Sequence, residues 1–379
     1  MRKMTAGIIV GLLLLLALAG GVKAETEQET DRYQTYMDEL DLQSIQNTVD
    51  ELLPQDHLNF RQMITKLCQG EIPLSGDTLV SLTENTLFSE LKRQRTTIVQ
   101  ILVLAMTASV FSVFMSAFTG SRVQEIAFYM VYLLLFVILL DSFRELSSIS
   151  EQTMQSVLQF MRLLLPVYLL AASLAATQMT AIGFYEVTLF IIMVVQSVVQ
   201  YVLMPGIACY VLIAMLGNVT KEAYLTRMTA LIRQIVRWSL KTMLTLVIGI
   251  QTIQRLLFPA LDHMKNSIWI RAGGAIPVVG NTLSSVTETL LGTASVLKHA
   301  VGTGGMILLI WICLRPLVRL LACLLLYKLV SAVIQPVADP RFVRCIDDMA
   351  EAVGLLLLAV AVTGVMFFLT IAIVTTAGG

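Results

Sequence analysis

Long apolar runs alternate with short polar stretches along most of this chain, and this pattern predicts membrane-spanning helices. The runs cover approximately Thr97–Phe118, Val123–Leu140, Met161–Gly183, Tyr185–Leu216, Met243–Phe258, Met306–Ile334 and Ala352–Val374. Several reach or approach the ~20 residues that a helix needs to cross a bilayer. Hydrophobic residues make up 56% of the chain and charged residues only 14%, whereas soluble domains carry about 25% charged residues. The sequence therefore predicts an all-α, polytopic membrane protein.

Prolines and polar stretches interrupt several of these runs. Pro166 falls inside the third run, and Pro205-Gly206 falls inside the run Tyr185–Leu216. The latter is therefore either one long kinked helix or two shorter ones, and the Pro-Gly pair favours two. The stretch DSFRELSSISEQTMQSVLQF, residues 141–160, is polar enough to leave the bilayer, and PVADPRFVRCIDDMAE, residues 336–351, is predicted to be a polar loop.

The first 24 residues have the pattern of a secretory signal peptide. Arg2 and Lys3 precede an apolar segment from Ile8 to Ala19, and Val22-Lys23-Ala24 provides small residues suited to cleavage. The alternative is an uncleaved anchor helix. In both cases residues 25 onward begin outside the cytoplasm.

Residues 25–95 form an acidic segment with helical periodicity. They carry fourteen acidic and six basic residues, a net charge of −8, whereas residues 96–379 have a net charge of +5. Apolar residues recur every three to four positions before Pro54 and again from Phe60 to Leu67, and Asp77 can cap a third short helix. We expect a small extracytoplasmic helical domain that packs on a partner or on the membrane domain, residues 96–379.

Basic residues do not decide the orientation of the membrane domain. Lys92, Arg93 and Arg95 lie just before the first span, on the outer side by the signal-peptide argument. Residues 221–241 form a basic amphipathic helix, which lies outside if Tyr185–Leu216 crosses once and inside if it crosses twice. A third alternative is that some helices do not lie in the bilayer in the usual way.

The segment RAGGAIPVVGNTLSSVTETLLGTASVLKHAVGTGG, residues 271–305, is rich in Gly, Ser and Thr. Its apolar residues predict a helix over 281–301 that Asn281 can cap and that Gly302 and Gly304-Gly305 can end. The opposite face of this helix has small or hydroxyl side chains, namely Thr282, Ser285, Thr289 and Gly292. A flexible lead-in contains Gly273, Gly274, Pro277 and Gly280.

Small and hydroxyl residues at these positions fit three roles. The segment can be an interfacial amphipathic helix, a surface for close packing between subunits, or the lining of a conduit or gate. The spacing alone leaves the three alternatives open.

Polar side chains also occur deep in other apolar runs. Arg315 and Arg319 flank Pro316, so they face a cavity or partner at a kinked helix, or they snorkel at a turn between two helices. Gln196 and Gln200 lie four residues apart on one face, which suits contacts between helices or a polar lumen. The five cysteines lack metal-binding spacing and are interpreted as unpaired apolar side chains.

Motifs for catalysis are missing from the sequence. It contains no P-loop, HExxH or Gly-x-Ser-x-Gly motif, and its three histidines are scattered. Asp347 and Asp348 are adjacent rather than one helical turn apart. We therefore expect a protein that is not an enzyme, has no cofactor or metal, and does not bind nucleic acid.

The signal peptide, the acidic helical segment, the multi-span domain and the run AIPVVGNTLSSVTETLLGTASVLKHAVGTGG together resemble the stage III sporulation protein AE family of endospore-forming bacteria. The resemblance extends over the whole chain and is most specific at residues 275–305. It implies a membrane subunit of the complex encoded by the stage III sporulation A operon, located in the mother-cell membrane around the forespore.

The same resemblance implies partners and an architecture. The partners would be the other stage III sporulation A proteins and, through the complex, the forespore stage II sporulation protein Q. The chain would act like an export-gate subunit in a homo-oligomer or mixed ring, with kinked helices that assemble partly above the bilayer. Two alternatives remain, a secondary permease for a small solute and a membrane scaffold that docks other channel subunits.

Overall fold

The fold is taken from a computed structural model, which describes residues 42–52, 59–68, 121–175, 180–219, 225–273, 280–336 and 338–376, with short helical pieces between 89 and 107. Within these residues the regular structure is entirely helical, so the predicted all-α class is confirmed. The side chains of residues 254–295 lie outside the described part. The predicted signal peptide and third short helix also lie outside it.

Apart from the short pieces between 89 and 107 and one π-helical turn, the helical part of the described chain consists of eight α-helices. They are α1 Leu42–Leu52, α2 Phe60–Cys68, α3 Ser121–Ala175, α4 Thr180–Val198, α5 Met204–Val219, α6 Thr226–Gly273, α7 Gly280–Ile334 and α8 Pro340–Thr376. Helices α3 and α7 each contain 55 residues, which corresponds to roughly 80 Å at 1.5 Å per residue. This length is more than twice the ~30 Å thickness of a bilayer core.

Residues 141–160, which the sequence predicts to leave the bilayer, continue helix α3 without a break. The polar stretch stays helical because its apolar residues recur every three to four positions and remain buried, as Phe143, Leu146, Met154 and Val157 do. Pro166 also lies inside α3 without ending it. The predicted span Val123–Leu140 and the part of Met161–Gly183 up to Ala175 therefore belong to one helix, while Thr180–Gly183 belong to α4.

The run Tyr185–Leu216 is one continuous helical path, so the preference for two segments was wrong. A π-helical turn, Val199–Leu203, joins α4 to α5, and the Met204 N–H donates to the Val199 carbonyl five residues back. Pro205 has no N–H and crowds the carbonyl four residues before it. The wider turn accommodates this proline without breaking the rod.

Helix α7 continues through residues at which the sequence predicted an end or a break. Gly302, Gly304 and Gly305 lie inside the helix, so the predicted C-terminus there was wrong. Pro316 lies inside it as well, which excludes the alternative of two helices around Arg315 and Arg319.

The predicted polar loop 336–351 is mostly helix. A turn begins at Gln335 and Pro336, directly after α7, and α8 begins at Pro340. Asp339 caps α8, since its Oδ1 accepts a hydrogen bond from the Arg341 N–H at 2.9 Å, and proline suits the first helical position because it lacks an N–H. Asp347 and Asp348 are therefore helical residues.

The long helices run alternately up and down around α8. Every side chain from Ala352 to Gly364 is buried except Leu358, which is half-buried. Contacts along the bundle show the relative directions of the helices. Ser142–Tyr327 and Leu164–Gly305 join α3 to α7 in antiparallel order. Gly364–Cys313 joins α8 to α7, and Gln251–Thr370 joins α6 to α8. We call the end that contains Ser121, Val219, Thr226, Ile334 and Pro340 the basic end, after Arg227, Arg341 and Arg344 in the first turns of α6 and α8.

Helices α1 and α2 pack on the membrane domain, which was one of the two alternatives for the acidic segment. Ile45, Phe60 and Ile64 are buried in one apolar cluster with residues of α3, α7 and α8. A hydrogen bond also joins the two helices to each other, since Gln46 Oε1 accepts the Phe60 N–H at 2.7 Å. This packing covers the middle of α7.

Candidate functional site

Three glycines in α7 form a junction at which separate helices approach closely. A Cβ on Gly302 would lie 2.8 Å from Thr375 Cγ2 in α8, and one on Gly305 would lie 3.0 Å from Leu164 Cδ1 in α3. A Cβ on Gly304 would lie 3.2 Å from Phe60 in α2. The glycine junction, Gly302, Gly304 and Gly305, therefore serves close helix packing, as small residues do in membrane bundles.

The other residues of the Gly/Ser/Thr-rich segment lie before this junction. Gly273 is the last residue of α6 and Gly280 is the first of α7, while Gly274 and Pro277 lie outside the described residues. Gly273 and Gly280 are therefore helical, so their place in a non-helical lead-in was wrong, and Asn281 lies inside α7 rather than at its N-cap. Helical backbone is observed where it was predicted for Thr282, Ser285, Thr289 and Gly292, but the side chains of this segment are not described. Their role as gate or packing surface remains a prediction. Because α7 and α8 are antiparallel and Gly302 contacts Thr375, residues 280–301 lie beyond the C-terminal end of α8.

A charged cluster occupies the first turns of α8. Glu351 Oε2 accepts a hydrogen bond from Arg237 at 2.6 Å and lies 3.5 Å from Arg233, both in α6. Lys328 of α7 pairs with Asp347 at 3.0 Å and lies 3.9 Å from Glu351. The cluster therefore joins α6, α7 and α8 through one poorly exposed carboxylate.

Asp348 extends this cluster toward α5. Asn218 Nδ2 donates a hydrogen bond to Asp348 Oδ2 at 2.7 Å, and the Tyr210 hydroxyl donates to Oδ1 at 3.4 Å. Sequence reasoning missed the cluster because it placed 336–351 in a loop. The four-residue spacings of Arg233 with Arg237 and of Asp347 with Glu351 were the available signal, since such pairs share a helix face.

Aromatic and cationic groups complete the basic end. The Arg341 guanidinium carbon lies 3.3 Å from the centre of the Phe128 ring, and its nitrogens donate to both carboxylate oxygens of Asp339 at 3.2 Å. Stacking of this kind stabilises a cation that is partly withdrawn from water. The Tyr132 hydroxyl donates to the Met215 carbonyl at 2.6 Å, which ties α3 to α5.

The candidate intramembrane polar residues occupy different environments. Arg319 donates to Glu145 Oε1 of α3 at 2.7 Å, so it has a charged partner on a neighbouring helix. Arg315 is half-buried, and Gln200 lies in the π-helical turn. Gln196 is 4% exposed, and neither polar atom of its amide has a hydrogen-bond partner. The structure does not bring these four residues together into one site.

The cysteines among the described residues are all free thiols. Cys68, Cys313, Cys323 and Cys345 are buried, and Cys209 is exposed. Burial raises the pKa of the Cys68 thiol to about 11. In the described part of the chain, no group of three His, Cys, Asp or Glu residues is placed to hold a metal ion.

Asp339 gives the basic end a defined pH dependence. Burial raises the pKa of this carboxyl, but hydrogen bonds from the Arg341 side chain and backbone outweigh burial, and the pKa lies below its usual range. The stabilisation is therefore complete above the unfolded pKa of about 3.9 and is lost as the pH falls through the lower folded value.

We expect Asp339→Asn to lower the free energy of unfolding by about 0.5–1 kcal/mol at neutral pH, because asparagine keeps the cap and loses the ion pair. Unfolding of both purified proteins across the pH range measures this difference. The difference should stay constant down to about pH 5 and shrink below about pH 4. A difference that stays constant below about pH 4 would contradict a stabilising ion pair between Asp339 and Arg341.

Three described helical stretches are long and apolar enough to cross a membrane, namely Phe190–Val219, Val296–Ile334 and Pro340–Ile373. Together with the bundle around α8, they define an all-helical membrane protein. The sequence pattern of the stage III sporulation protein AE family matches residues 58–378, and the chain belongs to that family.

A curated relative agrees with this assignment. The chain is 25% identical to stage III sporulation protein AE of Bacillus subtilis (strain 168) over 329 residues, which cover 86% of this chain and 82% of that protein. No solved structure gives a significant match. A role in sporulation and a place in a membrane follow from the family and from the apolar helices.

Proposed function

We propose that this protein is a non-catalytic membrane subunit of a channel or secretion-like complex that joins the mother cell and forespore, with an export-gate-like role. Its membrane would be the mother-cell membrane around the forespore. Its partners would be the other stage III sporulation A proteins and, through the complex, forespore stage II sporulation protein Q. Family membership supports the sporulation role.

One observation carries the gate-like part of the proposal. Exposed apolar side chains follow the α4–α5 path from Val187 to Leu216, a length of roughly 45 Å. This exceeds the ~30 Å hydrocarbon thickness. Lipid alone does not cover such a face in an upright helix, whereas contact with a neighbouring subunit in a homo-oligomer or mixed ring does.

The topology also supports an orientation. Because α3 joins Val123–Leu140 to the first part of the next predicted span, a single passage of α4–α5 brings the start of the basic helix α6 to the basic end. Helices α1 and α2 pack at a distance from that end, against Gly304 in the middle of α7. With the basic end in the cytoplasm, α1 and α2 lie toward the outer side, in agreement with the positive-inside rule and with the signal peptide.

Subunit number tests this proposal. We would replace Met193 and, in a second variant, Phe190 with cysteine in Cys209→Ser protein and crosslink membranes from sporulating cells of the organism that makes this chain. Because one exposed thiol per chain can join only two chains, a ring predicts a crosslinked dimer at each of these two exposed positions and a complex larger than a dimer by mass in mild detergent. It also predicts loss of heat-resistant spores when the gene is deleted.

Leu355→Cys serves as the matched control, because Leu355 is fully buried in α8 and should give no crosslink. A chain that remains monomeric in membranes and still supports spore formation would contradict the gate-like role. A chain whose deletion leaves spore numbers unchanged would contradict a required role in sporulation.

A further inference from the structure

The outer surface of α3 changes from apolar to polar partway along the helix. Between residues 126 and 137 its exposed side chains are large and apolar, including Met130, Leu133 and Val137. From residue 141 onward they are almost all polar, namely Asp141, Arg144, Ser148, Glu151, Gln152, Gln155, Gln159 and Arg162. We call these eight residues the α3 polar face.

The contacts of α3 place this polar face beside an apolar part of α7. Ser142 bonds to Tyr327 and Leu164 packs against Gly305, so the face runs beside residues 305–327 of α7. Those residues lie within the candidate span Val296–Ile334. Gly364 of α8 contacts Cys313 of α7 within the same interval.

A different helix exposes an apolar surface at the same depth. Val236 of α6 lies beside Gly206 of α5, and Gln251 of α6 forms a hydrogen bond with Thr370 of α8. Residues 236–251 of α6 therefore lie level with both α4–α5 and α8. In this interval α4–α5 exposes Phe190, Met193, Tyr201 and Val202 by 56% to 75%. Neither a plain bilayer nor bulk water suits both surfaces, because charged side chains are costly in lipid and contiguous apolar patches are unfavourable in water.

We propose that the α3 polar face lines a water-filled path at membrane depth, while the exposed side of α4–α5 faces lipid or a neighbouring subunit. The face carries two acidic and two basic side chains, Asp141, Glu151, Arg144 and Arg162, beside amides and a hydroxyl. It therefore suits hydrophilic solutes of either charge rather than one kind of ion. This inference rests on the proposed channel function and identifies which surface of the subunit is wet.

Thiol labelling tests the inference in the intact complex. The four buried cysteines should react slowly, so Cys209→Ser provides a nearly silent background. In that background we would introduce Gln155→Cys and Gln159→Cys on α3, with Met193→Cys on α4 as the control at matched depth. Membranes from sporulating cells would be treated on both sides with a charged, membrane-impermeant maleimide.

We expect the two α3 thiols to react at least about tenfold faster than the Met193→Cys thiol, the ratio that one unit of thiol pKa produces. Equally slow labelling at all three positions in membranes, with fast labelling of the same chains in detergent, would overturn the inference. Equally fast labelling at all three in membranes would overturn it as well, since that depth would then be plain water.

Spore counts separate this inference from the proposed function. If the two α3 thiols react fast but deletion of the gene leaves spore numbers unchanged, only the role in sporulation is contradicted. A slow α3 pair in a chain that forms rings and supports spore formation would contradict only the wet α3 face.

Discussion

Replacing Gly302 with alanine should destabilise the protein by about 1–3 kcal/mol, the usual cost of overpacking a filled core. The added methyl group would lie 3.1 Å from Thr375 Cβ, an atom fixed by the α8 backbone. Thr375 is itself buried, and its hydroxyl donates to the Ile371 carbonyl at 2.7 Å, so it cannot easily move away. The thermal unfolding midpoint of the full-length protein in detergent measures the effect.

Gly249 provides the matched control for this substitution. A Cβ placed there meets nothing within 4 Å, and alanine is favoured over glycine in a helix by about 1 kcal/mol. Gly249→Ala should therefore raise the unfolding midpoint while Gly302→Ala lowers it. Adding Thr375→Ala to Gly302→Ala should recover part of the loss, because it removes the nearest atoms. A Gly302→Ala protein at least as stable as the parent would show that the junction is not closely packed.

Replacing Glu351 with glutamine should lower the free energy of unfolding by about 2 kcal/mol, between the values for exposed and buried ion pairs. The glutamine keeps the volume of the side chain but leaves Arg237, Arg233 and Lys328 without their shared carboxylate. The Glu351 side chain is only 16% exposed, so water replaces the lost interactions poorly. Unfolding in detergent at low and high salt measures the change.

Asp347→Asn is the control for the cluster. Its carboxylate is 48% exposed and pairs with Lys328, so the loss should be less than about 1 kcal/mol and should nearly vanish at high salt. Equal losses for the two variants would mean that the cluster acts as ordinary surface charge. A Glu351→Gln protein as stable as the parent would likewise show that the cluster contributes no more than ordinary surface charge.

Local patterns were sufficient to predict where helices form and which ones are apolar. The spacing of apolar residues before Pro54 and from Phe60 to Leu67 predicted α1 and α2, and the last apolar run predicted most of α8. Such patterns are local because a helix is built from contacts between residues three and four apart. The family resemblance, carried mainly by residues 275–305, also came from the sequence alone.

Local patterns were misleading wherever neighbouring helices decide the outcome. A glycine ends an isolated helix, yet the glycine junction stays helical because it packs against α2, α3 and α8. Residues 141–160 continue α3 in spite of their polar side chains, because one face of this stretch is buried in the bundle. Pro205 and Pro316 are likewise tolerated inside rods that their neighbours hold in place.

The sequence by itself determined the class of this protein: an all-helical membrane chain of the stage III sporulation protein AE family, with an acidic N-terminal segment and no catalytic motif. Only the tertiary structure decided that Val123–Leu140 and Met161–Ala175 belong to one helix, and that Glu351 binds cations from α6 and α7. It also decided that α3 and α4–α5 expose opposite chemistries at one level of the bundle. These features depend on contacts between different helices, such as Arg237–Glu351 and Ser142–Tyr327, which lie 114 and 185 positions apart. Helical periodicity carries no information about such contacts.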